Sequence, residues 1–127
     1  MLTKSTVVTM LPVHDAARAG RFYADALGLH ELPAGPEGDR MFEVGGGSAI
    51  GLRVLPEAKP SENTALSFEV RDIAAEVGDL EKRGVAFLDY DTAELRTVNH
   101  VASMGDDKAA WFKDTEGNYL CLHQGKQ

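Results

Sequence analysis

The sequence predicts an α+β fold built from two copies of one strand–helix–strand–strand–strand module, and three observations carry that prediction. The first is an internal echo. Val13-His14-Asp15-Ala16-Ala17 matches Val70-Arg71-Asp72-Ile73-Ala74, each a strand running into a helix that its Asp can cap. The second is a matching hairpin: Met41-Phe42 before Gly47 answers Trp111-Phe112 before Gly117, and Ile50 and Leu52 answer Leu120 and Leu122 at a constant offset. The third is a change of period between the strands. Ala19, Phe22, Tyr23, Ala26 and Leu27 form one helical stripe, and Ile73, Val77 and Leu80 another.

Taken in order, residues 6–13 are rich in β-branched side chains and read as a strand. Asp15 opens the first helix and Gly28 closes it. Residues 29–32 read as a short strand and 33–39 as a Pro- and Gly-rich loop. Strands follow over 40–44 and 48–55, around a turn at Gly45-Gly46-Gly47 that opens no helix and lacks the Lys-Ser/Thr of a phosphate loop. Residues 57–63, with Pro56 and Pro60 nearby, form the linker. The second module starts with a strand over 65–70; Asp72 caps its helix, Arg83-Gly84 ends it, and 85–90 is predicted as a strand. The polar stretch 91–108, with Asn99-His100 and Met104-Gly105, reads as a long loop holding at most a short strand. A hairpin over 109–123 ends the chain, its turn made by Asp114, Gly117 and Asn118 because Gly and Asn accept positive φ. The modules then span about 5–56 and 64–124 of a single domain, 1–127.

Composition narrows the functional classes. Apolar content of 43% and charged content of 26% over 127 residues are those of an ordinary globular domain. One cysteine excludes an internal disulfide. The apolar run 7–13 is interrupted by Thr9 and Pro12 and is too short to span a bilayer, and no export segment is visible, so a cytoplasmic location and no membrane partner are expected. A formal net charge of −7 argues against nucleic acid as a partner, because phosphate backbones require a basic face.

Two motifs place the chain near a known family. They are Val13-x-Asp15 leading to Arg21-Phe22-Tyr23-x-x-x-Leu27-Gly28-Leu29, and Phe112-x-Asp114-x-x-Gly117-Asn118 followed by Leu120-x-Leu122. In order and spacing the whole chain resembles the vicinal oxygen chelate superfamily, the glyoxalase / bleomycin-resistance / extradiol-dioxygenase group. The resemblance implies two βαβββ modules whose sheets pair into a cupped, incomplete barrel around a pocket, in a homodimer. It also implies that metal-using members hold a divalent ion on four residues from the first and last strands of each module. Carried over singly, those positions are Val8, Gly51, Ala65 and Cys121. Val, Gly and Ala offer no ligating atom, and a lone thiolate makes no site, so no metal and no cofactor are expected. Within the resemblance this points to the drug-sequestering members, which bind a bulky natural product without catalysis. The alternative is a lyase, isomerase or dioxygenase-like enzyme with an atypical metal site, using Glu43, Glu69 or His123.

Strand alternation assigns the inward faces. Val8, Met10, Met41, Gly51, Ala65, Ser67, Trp111 and Cys121 are expected to line an apolar, small-walled pocket, while Leu11, Val13, Phe68, Phe112, Leu120 and Leu122 pack under the helices. Trp111 offers a flat surface to an aromatic guest, and the methionines adapt to irregular shapes. His100 and Met104, in the long loop, are expected to fold over the cleft as further ligand contacts; His14 and His30 are expected in solvent and His123 at the rim. Nothing pairs Cys121 with a histidine as a nucleophile, so no catalytic residue is assigned.

Overall fold

The computed structural model describes residues 1–126. The chain forms two compact units, and the division falls between Pro60 and Ser61, inside the predicted linker. Each has an open sheet covered on one face by a helix.

In the first unit β1 (Val8–Val13) leads into α1 (Ala16–Arg21), followed by β2 (His30–Leu32), β3 (Arg40–Glu43) and β4 (Ala49–Val54). The sheet order is β1-β4-β3-β2, with β1 parallel to β4 and the other pairs antiparallel. The Asp15 carboxylate caps α1 by accepting from the Arg18 N–H at 2.9 Å. The predicted helix is not uniform: after Arg21 it widens to a π turn over Phe22–Ala26. Gly28, at φ 70°, then reverses the chain so that the Leu29 N–H reaches the Tyr23 carbonyl at 3.0 Å. Tyr23 is thereby fully buried against Phe42, ring centroids 5.9 Å apart, beside buried Leu11, Val13, Ile50 and Leu52.

Arg40 ties α1 to this sheet. Its guanidinium makes a bidentate pair with Glu31 at 2.7 and 2.8 Å and donates to the Ala16 carbonyl at 3.0 Å. The group lies across Gly20, where a Cβ would run into it.

In the second unit β5 (Thr64–Glu69), α2 (Ile73–Lys82), β6 (Thr97–Val98), β7 (Val101–Met104), β8 (Asp107–Lys113) and β9 (Tyr119–Gln124) follow in order. The sheet runs β5-β9-β8-β7-β6, with β5 parallel to β9. Asp72 caps α2 through the Ala75 N–H at 3.1 Å, and the Gln124 side-chain oxygen takes the Ile73 N–H at 2.9 Å. Ile73, Val77 and Leu80 bury against Ala110, Phe112, Leu120 and Leu122. In the β8–β9 turn only Gly117 has positive φ; Asn118 instead donates its side-chain amide to Asp114, whose carboxylate also accepts from the Glu116 and Asn118 N–H groups.

Two expectations are corrected here. Residues 85–90 form no strand: they touch β8 through a bridge between Phe87 and Phe112 and a Leu88 N–H bond to the Trp111 carbonyl, with no ladder. The stretch 91–108 is not a long loop but a meander of β6, β7 and the start of β8. Asn99 and His100, at φ 52° and 71°, supply the two left-handed positions of a tight hairpin turn between β6 and β7.

His100 locks that turn in place. Nδ1 faces Asp89 at 2.8 Å, Nε2 faces Glu81 of α2 at 3.2 Å, and the ring stacks on Phe87. Both ring nitrogens can donate only in the imidazolium form. The hydrogen bond to Asp89 raises the pKa above the usual histidine value, against partial desolvation and with help from the charges of Asp89 and Glu81.

Two measurements check these joints. Gly20→Ala ought to raise stability by about 1 kcal/mol on helix propensity alone; we expect a lower melting temperature instead, because Arg40 must leave its partners. For His100→Asn, a residue that accepts the left-handed turn, the stability gap to the parent is expected in full below about pH 6.5. It then shrinks as pH rises through the raised folded-state pKa. Denaturant titrations across pH read the gap directly.

Candidate functional site

Each sheet buries one face under its helix, so the opposite face displays the side chains the fold leaves for other uses. Register decides which of them meet. In the second unit Ser67 on β5 pairs with Cys121 on β9, which pairs with Trp111 on β8, making one row across three strands. The next row along brings Glu69, His123 and Ala109 together.

Trp111 is half-buried and held from two sides. Its indole N–H donates to the Thr64 hydroxyl at 3.2 Å, and the Tyr90 ring meets it edge-on, centroids 5.7 Å apart at 83°. The result is a fixed aromatic wall beside a small, nearly buried floor. Burial pushes the Cys121 thiol pKa up despite hydrogen bonding to Ser67 and the Ala110 backbone, so the group stays a neutral thiol. Its Sγ donates to the Leu122 carbonyl at 3.2 Å. Cys121 therefore acts as a small apolar surface, not as a nucleophile.

At the other end of this face His123 sits between two carboxylates. Nδ1 lies 2.6 Å from Glu69 and Nε2 lies 3.5 Å from Asp107. The Glu69 hydrogen bond raises the imidazole pKa, with Asp107 adding to it. The short bond to Glu69 engages Nδ1, while the contact of Nε2 with Asp107 is loose.

In the first unit the corresponding row is Met10, Gly51 and Met41 on β1, β4 and β3. A Cβ on Gly51 would fall 2.6 Å from the Met10 Sδ and 3.1 Å from the Met41 Sδ, so the two thioether chains fold over the bare backbone. Val8, paired with Ala49, is exposed two residues before this row. Ala65 falls at an irregularity between Thr64 and Leu66 and takes no partner in the ladder.

His100 and Met104 take other places than the ones expected of them. Met104 lies at the β7–β8 turn opposite Asp107, and His100 is packed on the α2 side of the sheet, away from Trp111. Neither belongs to a loop over the cleft. Thr64, Tyr90 and Asp107 join this face without being expected there, whereas Glu69 stands beside His123, both of them residues of the alternative reading. Nothing in the local pattern marks Thr64 and Tyr90 as partners of Trp111, since that contact joins distant segments.

The fold family's divalent ion can be tested against these residues. The four positions that the resemblance assigns to it carry a valine, a glycine lying under two methionines, an alanine without a ladder partner and a neutral buried thiol. Among the described residues no group of three or more His, Cys, Asp or Glu is arranged to hold an ion. The residues present do not fit the metal.

Comparison with known proteins agrees with the fold. No curated protein matches the sequence. Among solved structures, the chain is 24% identical to TnmS3, an antibiotic binding protein from Streptomyces sp. CB03234, covering 99% of each chain with a TM-score of 0.76. A superfamily member from Sphaerobacter thermophilus is 22% identical over 98% of this chain and 99% of that one, TM-score 0.75. The fosfomycin resistance protein FosX from Listeria monocytogenes, solved with Mn(II), is 15% identical over 99% of this chain and 93% of its own, TM-score 0.68. Such identities establish a shared fold and no more. The family model for the glyoxalase/bleomycin resistance protein/dioxygenase superfamily matches residues 6–122, and the chain belongs to that superfamily.

Proposed function

We propose that this protein binds and sequesters a bulky aromatic or polycyclic natural product, without a metal and without catalysis, as a drug-binding resistance protein of the cytoplasm. The observation that carries the reading is the exchange of side chains at the superfamily's ligating positions. Where an ion would need donors, the chain has Val8, Gly51, Ala65 and Cys121, and beside Cys121 it presents the braced ring of Trp111. An apolar floor and a rigid aromatic wall suit a flat, apolar guest; they give no Lewis acid to an enediolate or a catechol. The antibiotic-binding name of TnmS3, a protein of the same fold, supports this choice within the superfamily.

We extend the reading to a homodimer. β1 is an edge of its sheet, and Val8 and Met10 on it are exposed, as are Val54 and Leu55 at the end of the neighbouring β4. An apolar edge of this kind is normally covered by a second chain.

Two experiments follow. Titration with a polycyclic aromatic antibiotic is expected to quench the fluorescence of Trp111, the only tryptophan. Trp111→Ala should weaken that binding by roughly 10- to 100-fold, as loss of an aromatic anchor does, while Trp111→Phe keeps a ring and most of the affinity. Equal affinity in the Ala variant would remove Trp111 from the site. Sedimentation at micromolar concentration should give a dimer, and Met10→Lys should shift it toward monomer; a monomeric parent would contradict the edge argument.

A further inference from the structure

On the other side of the second sheet, between α2 and the β6–β7 hairpin, lies a cavity of about 500 Å³. That volume is within the range of small-molecule sites. It is an open groove with an apolar side, from Ile73 and Val77 on α2 and the exposed Val98 with Val101 on the β6–β7 hairpin, and a polar side that includes Ser103 and Lys108. It shares no residue with the Trp111 row.

Gly78 makes this cavity more than a gap. It lines the space from the middle of α2, with no positive φ that would call for glycine, and a Cβ there would meet nothing within 4 Å. Glycine is among the poorest residues for a helix interior. In α1 the interior Gly20 has a steric reason, the Arg40 guanidinium. Gly78 has no such reason within its own unit; the glycine leaves room.

The charges say what kind of occupant fits. The Lys108 ammonium has no hydrogen-bond or ion-pair partner among the described residues, and Ser103, its partner across the strands, brings a hydroxyl to the same wall. Arg96, also in the lining, has only a loose pair with Asp91 at 3.5 Å. The one acid in the lining, Glu81, is occupied by His100. The cavity is thus cationic on a chain whose net charge is −7.

We infer that this cavity is a second binding site, taking a small molecule with an apolar body and one carboxylate. The body lies along Ile73, Val77 and Val101 over Gly78, and the carboxylate accepts from Lys108 and Ser103.

Methyl-resolved NMR titration with decanoate, and separately with decanol, tests the assignment on the full chain. Decanoate should shift the methyl signals of Ile73, Val77, Val98 and Val101, in the parent and equally in Trp111→Ala. Lys108→Gln, or replacement of decanoate by decanol, should weaken binding about tenfold, the effect of one charge-assisted hydrogen bond. Gly78→Leu should abolish it, and Gly78→Ala should melt higher than the parent, which separates filling the space from damaging the fold. The inference is overturned if decanoate leaves those methyls unmoved, if decanol binds as tightly, or if Gly78→Leu binds like the parent. Shifts lost in Trp111→Ala would move the ligand to the other face and overturn it as well.

Discussion

The constraint on which the rest depends is that each sheet has one face sealed by a helix. Once Leu11, Val13, Ile50 and Leu52 are buried in the first unit, and Ala110, Phe112, Leu120 and Leu122 in the second, a slip of one residue would expose them all. The residues between them are therefore fixed on the opposite face and fixed in rows. Met10, Gly51 and Met41 meet because their neighbours are core; Ser67, Cys121 and Trp111 meet for the same reason. The scaffold sets the positions, and the side chains standing there set the chemistry.

Three glycines show how differently one residue type can be used. Gly51 gives up its side chain so that two methionines can lie across β4. Gly20 gives up its side chain to the Arg40 guanidinium, which joins α1 to β2 and β3 through Glu31 and the Ala16 carbonyl. Gly78 gives way to nothing in its own unit, and its place over the α2 cavity is the sign of an occupant.

Much of this was legible in the chain because local signals agreed with the tertiary structure. Asp15 and Asp72 announce their helices, Gly28 and Gly84 end theirs with positive φ, and period-two alternation marks β1, β4, β5, β8 and β9. The failures have equally local causes. Residues 85–90 have the composition of a strand, yet pairing depends on an available neighbour, and only one bridge and one bond to β8 form. β6 is a two-residue edge strand and β7 lies next to it, and polar residues such as Thr97 and Ser103 mask the alternation there. In sequence His100 reads as a loop residue available to a ligand; its left-handed backbone and its two carboxylate partners make it a joint. Likewise the bracing of Trp111 by Thr64 and Tyr90 joins segments far apart in sequence, which no periodicity reveals.

The positions that the family resemblance assigns to an ion hold Val8, Gly51, Ala65 and Cys121 in this chain. Glu69 takes the Nδ1 of His123 at 2.6 Å, and among the described residues no group of three or more His, Cys, Asp or Glu is arranged to hold an ion. On the proposed reading, the apolar surface and the aromatic wall of Trp111 hold the guest. The most direct test is calorimetric titration of the protein with a polycyclic aromatic antibiotic, before and after exhaustive dialysis against a chelator, with metal content measured on both samples. The account predicts the same dissociation constant in both and no stoichiometric metal in either. One equivalent of a divalent metal in the untreated protein, with binding lost on its removal and restored on its return, would contradict it.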